Sequence, residues 1–307
     1  MFKLQDIKSL EAFNLERFGY FCFLAGIFFL ASAVGISVLL LIISLFISFL
    51  KPAQFFKDKW NYPLFISAFL MLISVFIHFQ TNINYFNADL DPKLSLLGLI
   101  NWFPFFLSFW GFQKYLDSPK KRITASKLII YGSVPVIFSG ILQLLNINGP
   151  FQLFYGLIVW FQKPLAEVGS ISGLFNNQNY AGLWMVMIWP FCLAASKQKN
   201  LAKSLKIITL LICLSFAVFI FLTDSRNAFF CLIISIPFVL GKPSLIWYLP
   251  TILISFSFLA LAVLPIFPEE IQILAKSLVP SRIYTRFPEI GFNNLLEYPR
   301  INKWTSA

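Results

Sequence analysis

Apolar runs of about twenty residues recur along the chain, and this pattern restricts the fold before any motif is considered. A helix of that length matches the hydrocarbon thickness of a bilayer, where every backbone amide must find its partner inside the protein. Such runs fall at about 60–79, 94–113, 124–144, 180–195, 205–223, 227–240 and 244–266. The expected fold class is therefore all-α, a polytopic transmembrane helical bundle. Composition agrees, with 58% hydrophobic and 12% charged residues against about 25% charged in an ordinary soluble domain. The 38 phenylalanines sit within these runs, as lipid-facing and helix-packing surface requires.

The first apolar stretch, Gly19 to Leu50, is too long for one comfortable span and short for two, with Ser32, Gly35 and Ser37 near its middle as a possible break. Charge decides between the two readings, because cytoplasmic loops carry the Lys and Arg excess. Two short spans, about 18–32 and 35–50, put the N-terminus in the cytoplasm and make about nine spans in all. Sixteen of the 24 basic residues then fall inside, among them Lys51, Lys57, Lys59, Lys114, Lys120, Lys121 and Arg122. A single span would strand three of them outside. On this topology the outer segments are the turn around Asp89 and Asp91, a loop from about 145 to 179, and a tail from about 267 to 307. Residues 1–266 read as one transmembrane domain and 267–307 as the start of a large outer loop. Within the first loop, the eleven-residue apolar run from Phe151 to Phe161 is too short to cross and suits an interfacial or re-entrant position.

The net charge of +11 is accounted for by topology, and nucleic acid is not an expected partner. Cys22, Cys192, Cys213 and Cys231 lie in apolar runs without CxxC spacing and read as packing residues. With His78 the one histidine, a multi-histidine zinc site is excluded, and no phosphate-binding, dinucleotide-binding or GxSxG motif is present. No cofactor and no metal is expected, so the energy for any reaction must come from the substrate.

Three polar features stand out. Thr223-Asp224-Ser225-Arg226-Asn227 interrupts two apolar runs and places Arg226 at the head of a helix at the membrane face, where a guanidinium needs a partner or an anionic ligand. Its planar donors beside helix N-terminal amides suit phosphate oxygens; a tight polar turn with Asp224 paired to Arg226 is the alternative. Gly173 to Gly182, GLFNNQNYAG, leads from the outer loop into a span. Asn179 is placed to cap that helix, which leaves Asn176, Asn177 and Gln178 for a sugar-binding cavity or for a solvated loop. The tail carries Arg282, Arg286, Arg300 and Lys303 outside, against the topological bias. An anionic substrate, anionic lipid or plain solvation would each explain them.

In order, spacing and sidedness these features resemble the bacterial O-antigen ligase and O-antigen polymerase superfamily. GLFNNQNYAG is similar to its glycine-asparagine lead into a span, TDSRNA to its serine-arginine turn, and Arg300-Ile-Asn-Lys-Trp304 to its arginine-to-tryptophan motif at the start of the large periplasmic loop. The resemblance implies a multi-pass protein of the bacterial inner membrane. Such an enzyme performs metal-independent, inverting transfer of a glycan from an undecaprenyl-diphosphate-linked donor to a lipid A core or a growing polysaccharide hydroxyl. It implies Arg226 and Arg300 as ligands of the donor diphosphate, and Asn176, Asn177, Asn179, Ser225 and Trp304 as lining of the glycan cavity. Its general base would be a histidine in the part of the loop beyond Ala307, so the chain reads as an incomplete member. The competing class is a transporter or flippase for an anionic lipid or small anion. Paired broken helices in two related halves would mark it, and no matching halves are found.

Overall fold

The structure is a computed structural model and describes residues 4–80, 92–147, 149–156, 158–160, 162–198, 202–264, 266–279 and 284. Asp89, Asp91, Arg300 and Trp304, with the other charged residues of the tail from Arg282 onward, lie outside the described residues. Two compact units divide the chain, Met1–Ile233 and Ile234–Ala307.

The first unit opens with α1 (Leu4–Phe29) and α2 (Val34–Leu50). The long apolar run thus breaks at 30–33, a stretch that includes Ser32, while Gly35 and Ser37 fall inside α2. The two helices fold back on each other because small residues let them approach. A Cβ at Gly26 would stand 2.7 Å from the Leu41 side chain, and one at Gly19 would stand 2.7 Å from Ile47. Ser37 Oγ donates to the Gly26 carbonyl at 2.8 Å, a bond of the kind that holds helices together where hydrophobic driving force is absent.

Next come α3 (Asn61–Gln80), α4 (Pro92–Phe112), α5 (Pro119–Gly132) and α6 (Val134–Leu144). Ser118 caps α5 by accepting from Lys121 N, with Pro119 at the first helical position where its missing N–H costs nothing. The apolar stretch 119–144 bends at Ser133, two residues before Pro135. The basic residues gather at one end of this unit. Lys114 pairs with Glu16 at 3.0 Å and reaches the Lys51 carbonyl at 3.4 Å, and Lys121 pairs with Asp117 at 3.0 Å. Beneath them Phe23 and Tyr115 stack at 5.4 Å in a buried core with Ala125.

At the other end the run from Phe151 is not helical. It forms an antiparallel hairpin, β1 (Phe151–Leu153) and β2 (Ile158–Trp160), with Phe151 opposite Trp160 and Leu153 opposite Ile158. Eleven residues cannot satisfy a membrane-crossing backbone, and Gly156, at φ +87, gives the chain a reversal. Trp160 Nε1 donates to the Ser32 carbonyl at 2.8 Å and seats the hairpin on the α1–α2 turn. The single turn α7 (Leu165–Val168) precedes α8 (Gln178–Ser196) and α9 (Lys203–Leu222), and α10 (Arg226–Leu240) follows.

The second unit contains α11 (Leu245–Val263) and the ten-residue α12 (Glu269–Leu278), which packs on it. Glu269 and Glu270 stand at the positive end of α12 and Lys276 in its last turn, the favourable order for a helix dipole.

Among the described residues five stretches are long and apolar enough to cross a bilayer: Asn61–Gln80, Leu94–Tyr115, Pro119–Leu144, Lys203–Leu222 and Lys242–Val263. Val34–Leu50 and Arg226–Leu240 are shorter apolar helices. Their apolar side chains face outward, as Phe65, Phe69 and Phe76 on α3 do. In water such a surface would be a large exposed apolar patch. The chain is a membrane protein.

Gly132 marks the closest helix approach, since a Cβ there would meet the Phe28 carbonyl oxygen of α1 at 2.0 Å. Gly132→Ala forces backbone apart and is expected to cost about 1–3 kcal/mol, read as a lower melting temperature in detergent. Gly98, with nothing within 4 Å, accepts alanine without loss, so equal melting points for the two variants would contradict this packing.

Candidate functional site

Between α7 and α8 the backbone is irregular, yet Ile171, Ser172, Gly173 and Leu174 are buried among helices. Non-helical backbone at such depth persists only when protein groups or a polar cavity satisfy it. The partner here is Gln143, itself fully buried near the end of α6. Its Oε1 accepts from Ser172 N at 3.0 Å and Gly173 N at 2.8 Å. Its Nε2 donates to the Lys163 carbonyl at 2.7 Å and to Ser172 Oγ at 3.1 Å. One amide thus ties both limbs of the loop. One helical turn earlier, Ser139 Oγ donates to Gln162 Oε1 at 2.7 Å, while Gln162 Nε2 donates to the Ile147 carbonyl. Ser139 and Gln143 share a helix face because they are four residues apart.

The same loop is bound to the turn between α9 and α10. Ser170 Oγ donates to Asp224 Oδ2 at 2.5 Å, and Asp224 holds a left-handed backbone at φ +57 that turns the chain into α10. Gly173, also left-handed at φ +56, lies so close to α6 and α9 that a Cβ would stand 2.8 Å from the Val136 carbonyl and 3.2 Å from Phe219. Gly182, in the first turns of α8, is closer still to the turn. Its Cβ would stand 2.8 Å from Thr223 Oγ1 and 2.9 Å from both Ser225 and Ala228. The two motifs singled out in the sequence, 173–182 and 223–228, therefore meet directly, across the Gly182–Ser225 contact.

Within this junction the expected residues take distinct places. Arg226 is exposed at the first position of α10, Asn227 is exposed beside it, and Ser225 is buried beneath them. Asn176, Asn177 and Asn179 are exposed. The cap of α8 is Asn177, whose Oδ1 accepts from Asn179 N at 2.7 Å, and not Asn179. The helix begins two residues earlier than its apolar run, so the cap shifts with it. His78 has a ring nitrogen 3.2 Å from Ser95 Oγ, linking α3 to α4 as a helix-to-helix hydrogen bond.

Sequence reasoning misses Ser139, Gln143, Gln162, Ser170 and Ser172, which build the frame; the available signal is three glutamines, Gln143, Gln152 and Gln162, inside a stretch with no charge from Leu128 to Gln162. Gln178, which the sequence assigns to a sugar-binding cavity or a solvated loop, is half-buried at the start of α8. Its Oε1 is buried and receives no hydrogen bond, an arrangement that costs on the order of 1–3 kcal/mol.

Gln143→Leu deletes four hydrogen bonds and leaves buried N–H groups at residues 172 and 173 without an acceptor. It is expected to lower the melting temperature and to open the 163–177 segment to limited proteolysis, with wild-type cleavage patterns as the contrary result. Gln178→Met is expected to leave the melting temperature unchanged or raise it, since it removes an acceptor that no donor satisfies. Comparison of the chain with protein-family models, with curated proteins and with solved structures returned no match.

Proposed function

We propose that this chain is a membrane glycan ligase or polymerase, transferring a glycan from an undecaprenyl-diphosphate-linked donor to a hydroxyl of a lipid A core or a growing polysaccharide. The observation that carries the reading is the direct contact of GLFNNQNYAG with TDSRNA at Gly182. These are the two segments on which the resemblance to the O-antigen ligase and polymerase superfamily rests. α8 and α9 pack on each other as consecutive helices, which sets the start of one beside the end of the other and so puts both motifs at one place.

The chemistry suits the arrangement. Arg226 begins a helix, where the macrodipole disfavours a cation and favours an anion. A guanidinium held there against the dipole lowers its free energy by binding a diphosphate. In the reaction the acceptor hydroxyl attacks the anomeric carbon from the face opposite the diphosphate. The carbon–oxygen bond to the diphosphate breaks, and the released oxygen carries negative charge that Arg226 stabilises. The hydroxyl proton passes to a general base. Arg300, as the second diphosphate ligand, and Trp304, as cavity lining, enter on the resemblance alone. Asn176, Asn177, Asn179 and Ser225 border the junction and belong to the glycan side of the same proposal.

The finer topology is part of this reading: about nine spans, a cytoplasmic N-terminus, and the junction at the periplasmic face of the inner membrane. Its support is that Lys51, Lys114 and Lys121 gather at one end of the first unit, while the hairpin seat on Ser32 and the Ser170–Asp224 bond lie at the other.

In cells that make the protein, Arg226→Ala and Arg300→Ala are each expected to reduce attachment or polymerisation of surface polysaccharide by roughly 10²-fold, measured on gels at matched protein levels. Arg226→Lys, which keeps the charge but loses the planar fork, falls between. Normal polysaccharide in both alanine variants would sink the assignment.

A further inference from the structure

The hairpin end of the first unit has a surface that neither the fold nor the proposed reaction uses. Leu144, Leu145, Ile147, Phe151, Leu153 and Phe154 are all exposed, and Tyr155 at the tip is fully so, at 113% of its reference surface. From Leu128 to Gln162 the sequence carries no charge. A loop standing free in water has no reason to be without charge and to expose so many large apolar side chains, so something covers this one.

Backbone geometry adds an independent observation. Phe154 and Tyr155 both hold left-handed conformations, φ +51 and +54, followed by Gly156 at φ +87. Glycine or asparagine makes such a turn without strain, and bulky aromatic residues make it only at a cost. The turn keeps two aromatic rings where their side chains oppose the backbone preference, which is the mark of side chains with a task.

What covers the hairpin follows from its seat. Trp160 fixes it to the Ser32 carbonyl at the α1–α2 turn, and α2 below presents Val38, Leu39, Ile42 and Phe46 outward. The hairpin is thus continuous with a surface that faces lipid. Its depth is limited by hydrogen bonding. The sheet has two strands only, so the outer edge of β1 leaves amides and carbonyls that need water. Water is present in the headgroup layer and absent from the hydrocarbon.

We infer that the Phe151–Trp160 hairpin lies in the interfacial layer of the bilayer, with Phe154 and Tyr155 inserted among lipid headgroups as an aromatic anchor. The anchor holds the α1–α2 turn and the outer end of α6, where the clamped loop begins, at a fixed height relative to the membrane surface. This inference does not depend on the glycan reading.

The test uses the full chain in phosphatidylethanolamine–phosphatidylglycerol nanodiscs. Cys231, the one exposed cysteine among the described residues, is replaced by serine, and Tyr155→Cys carries a nitrobenzoxadiazole dye. Exposed Glu167 on α7, converted to cysteine and labelled in the same way, serves as the reference. Blue-shifted emission at position 155, quenched more by lipids with a nitroxide near the headgroup than by those with one near the chain end, is the expected result. Solvent-like emission there, matching position 167 and quenched by aqueous iodide, would overturn the inference and point to a soluble partner. Stronger quenching by the deep nitroxide would overturn it too, by placing the hairpin in hydrocarbon. A double variant, Phe154→Gly with Tyr155→Gly, checks that folding is separate: its melting temperature in detergent is expected to equal or exceed wild type, and a marked drop would assign the two rings to internal packing.

Discussion

Gln143 is the residue on which the hairpin end of the first unit depends. An irregular strand of backbone inside a membrane protein has polar groups that neither lipid nor a helix ladder can satisfy. The side-chain amide of Gln143 supplies two donors and an oxygen that accepts twice from a single rigid group, and the loop uses all four. Gln162 repeats the arrangement one turn away with Ser139 and the Ile147 carbonyl. Because each bond is shielded from water, losing one partner strands the other, which makes the network cooperative. The loop is therefore not a flexible connection. It is an internal element, held at both limbs, that delivers Asn176 to Gln178 to the head of α8.

Close helix approach is the second condition. Apolar helices in lipid gain little by burying leucine, so the contacts that matter are those in which glycine removes the obstacle and lets backbone and hydroxyl groups meet. Gly26 against Leu41 with the Ser37 bond, Gly132 against the Phe28 carbonyl, Gly140 against Phe219, and Gly182 against Thr223 and Ser225 all follow this rule. The last of these joins the framed loop to the turn before Arg226. The geometry of the junction is thus set by small residues around it and by the amide clamp behind it.

The helices were legible in the sequence because hydropathy and length are local properties. The break near Ser32 and the turn at 223–225 were legible for the same reason. What escaped was set by distance along the chain. Nothing near residue 143 announces that its partners are 29 and 30 residues on. The Phe151–Trp160 hairpin escaped because each strand is three residues long, too short for a period-two alternation to stand out from an apolar run. The sequence sets the cap of α8 two residues late because four amide side chains stand in a row from Asn176 to Asn179, and only the fold of the preceding loop decides which one reaches the first N–H groups. Of the site residues, the proximity of the two motifs could be hoped for from their order, but not read from it.

The junction also has an electrostatic character that follows from helix polarity alone. Both α8 and α10 begin there, and Gly182 in the early turns of α8 touches Ser225 and Ala228 at the start of α10. Two positive helix ends are therefore close together, with the Arg226 charge added to them. The opposing contribution comes from the end of α9. There Thr223 N and Asp224 N bond the carbonyls of Phe219, Ile220 and Phe221, and Thr223 Oγ1 adds a second bond to Ile220. Those carbonyls are engaged and their pull is spent internally, while Asp224 is turned toward Ser170. At the openings of α8 and α10, Asn177 Oδ1 accepts from Asn179 N and Thr223 Oγ1 accepts from Ser225 N. The two helix starts and Arg226 contribute positive potential to the junction, and the Asp224 carboxylate opposes it. Under the proposed function, that positive contribution is what the donor diphosphate would meet, before any sugar is recognised.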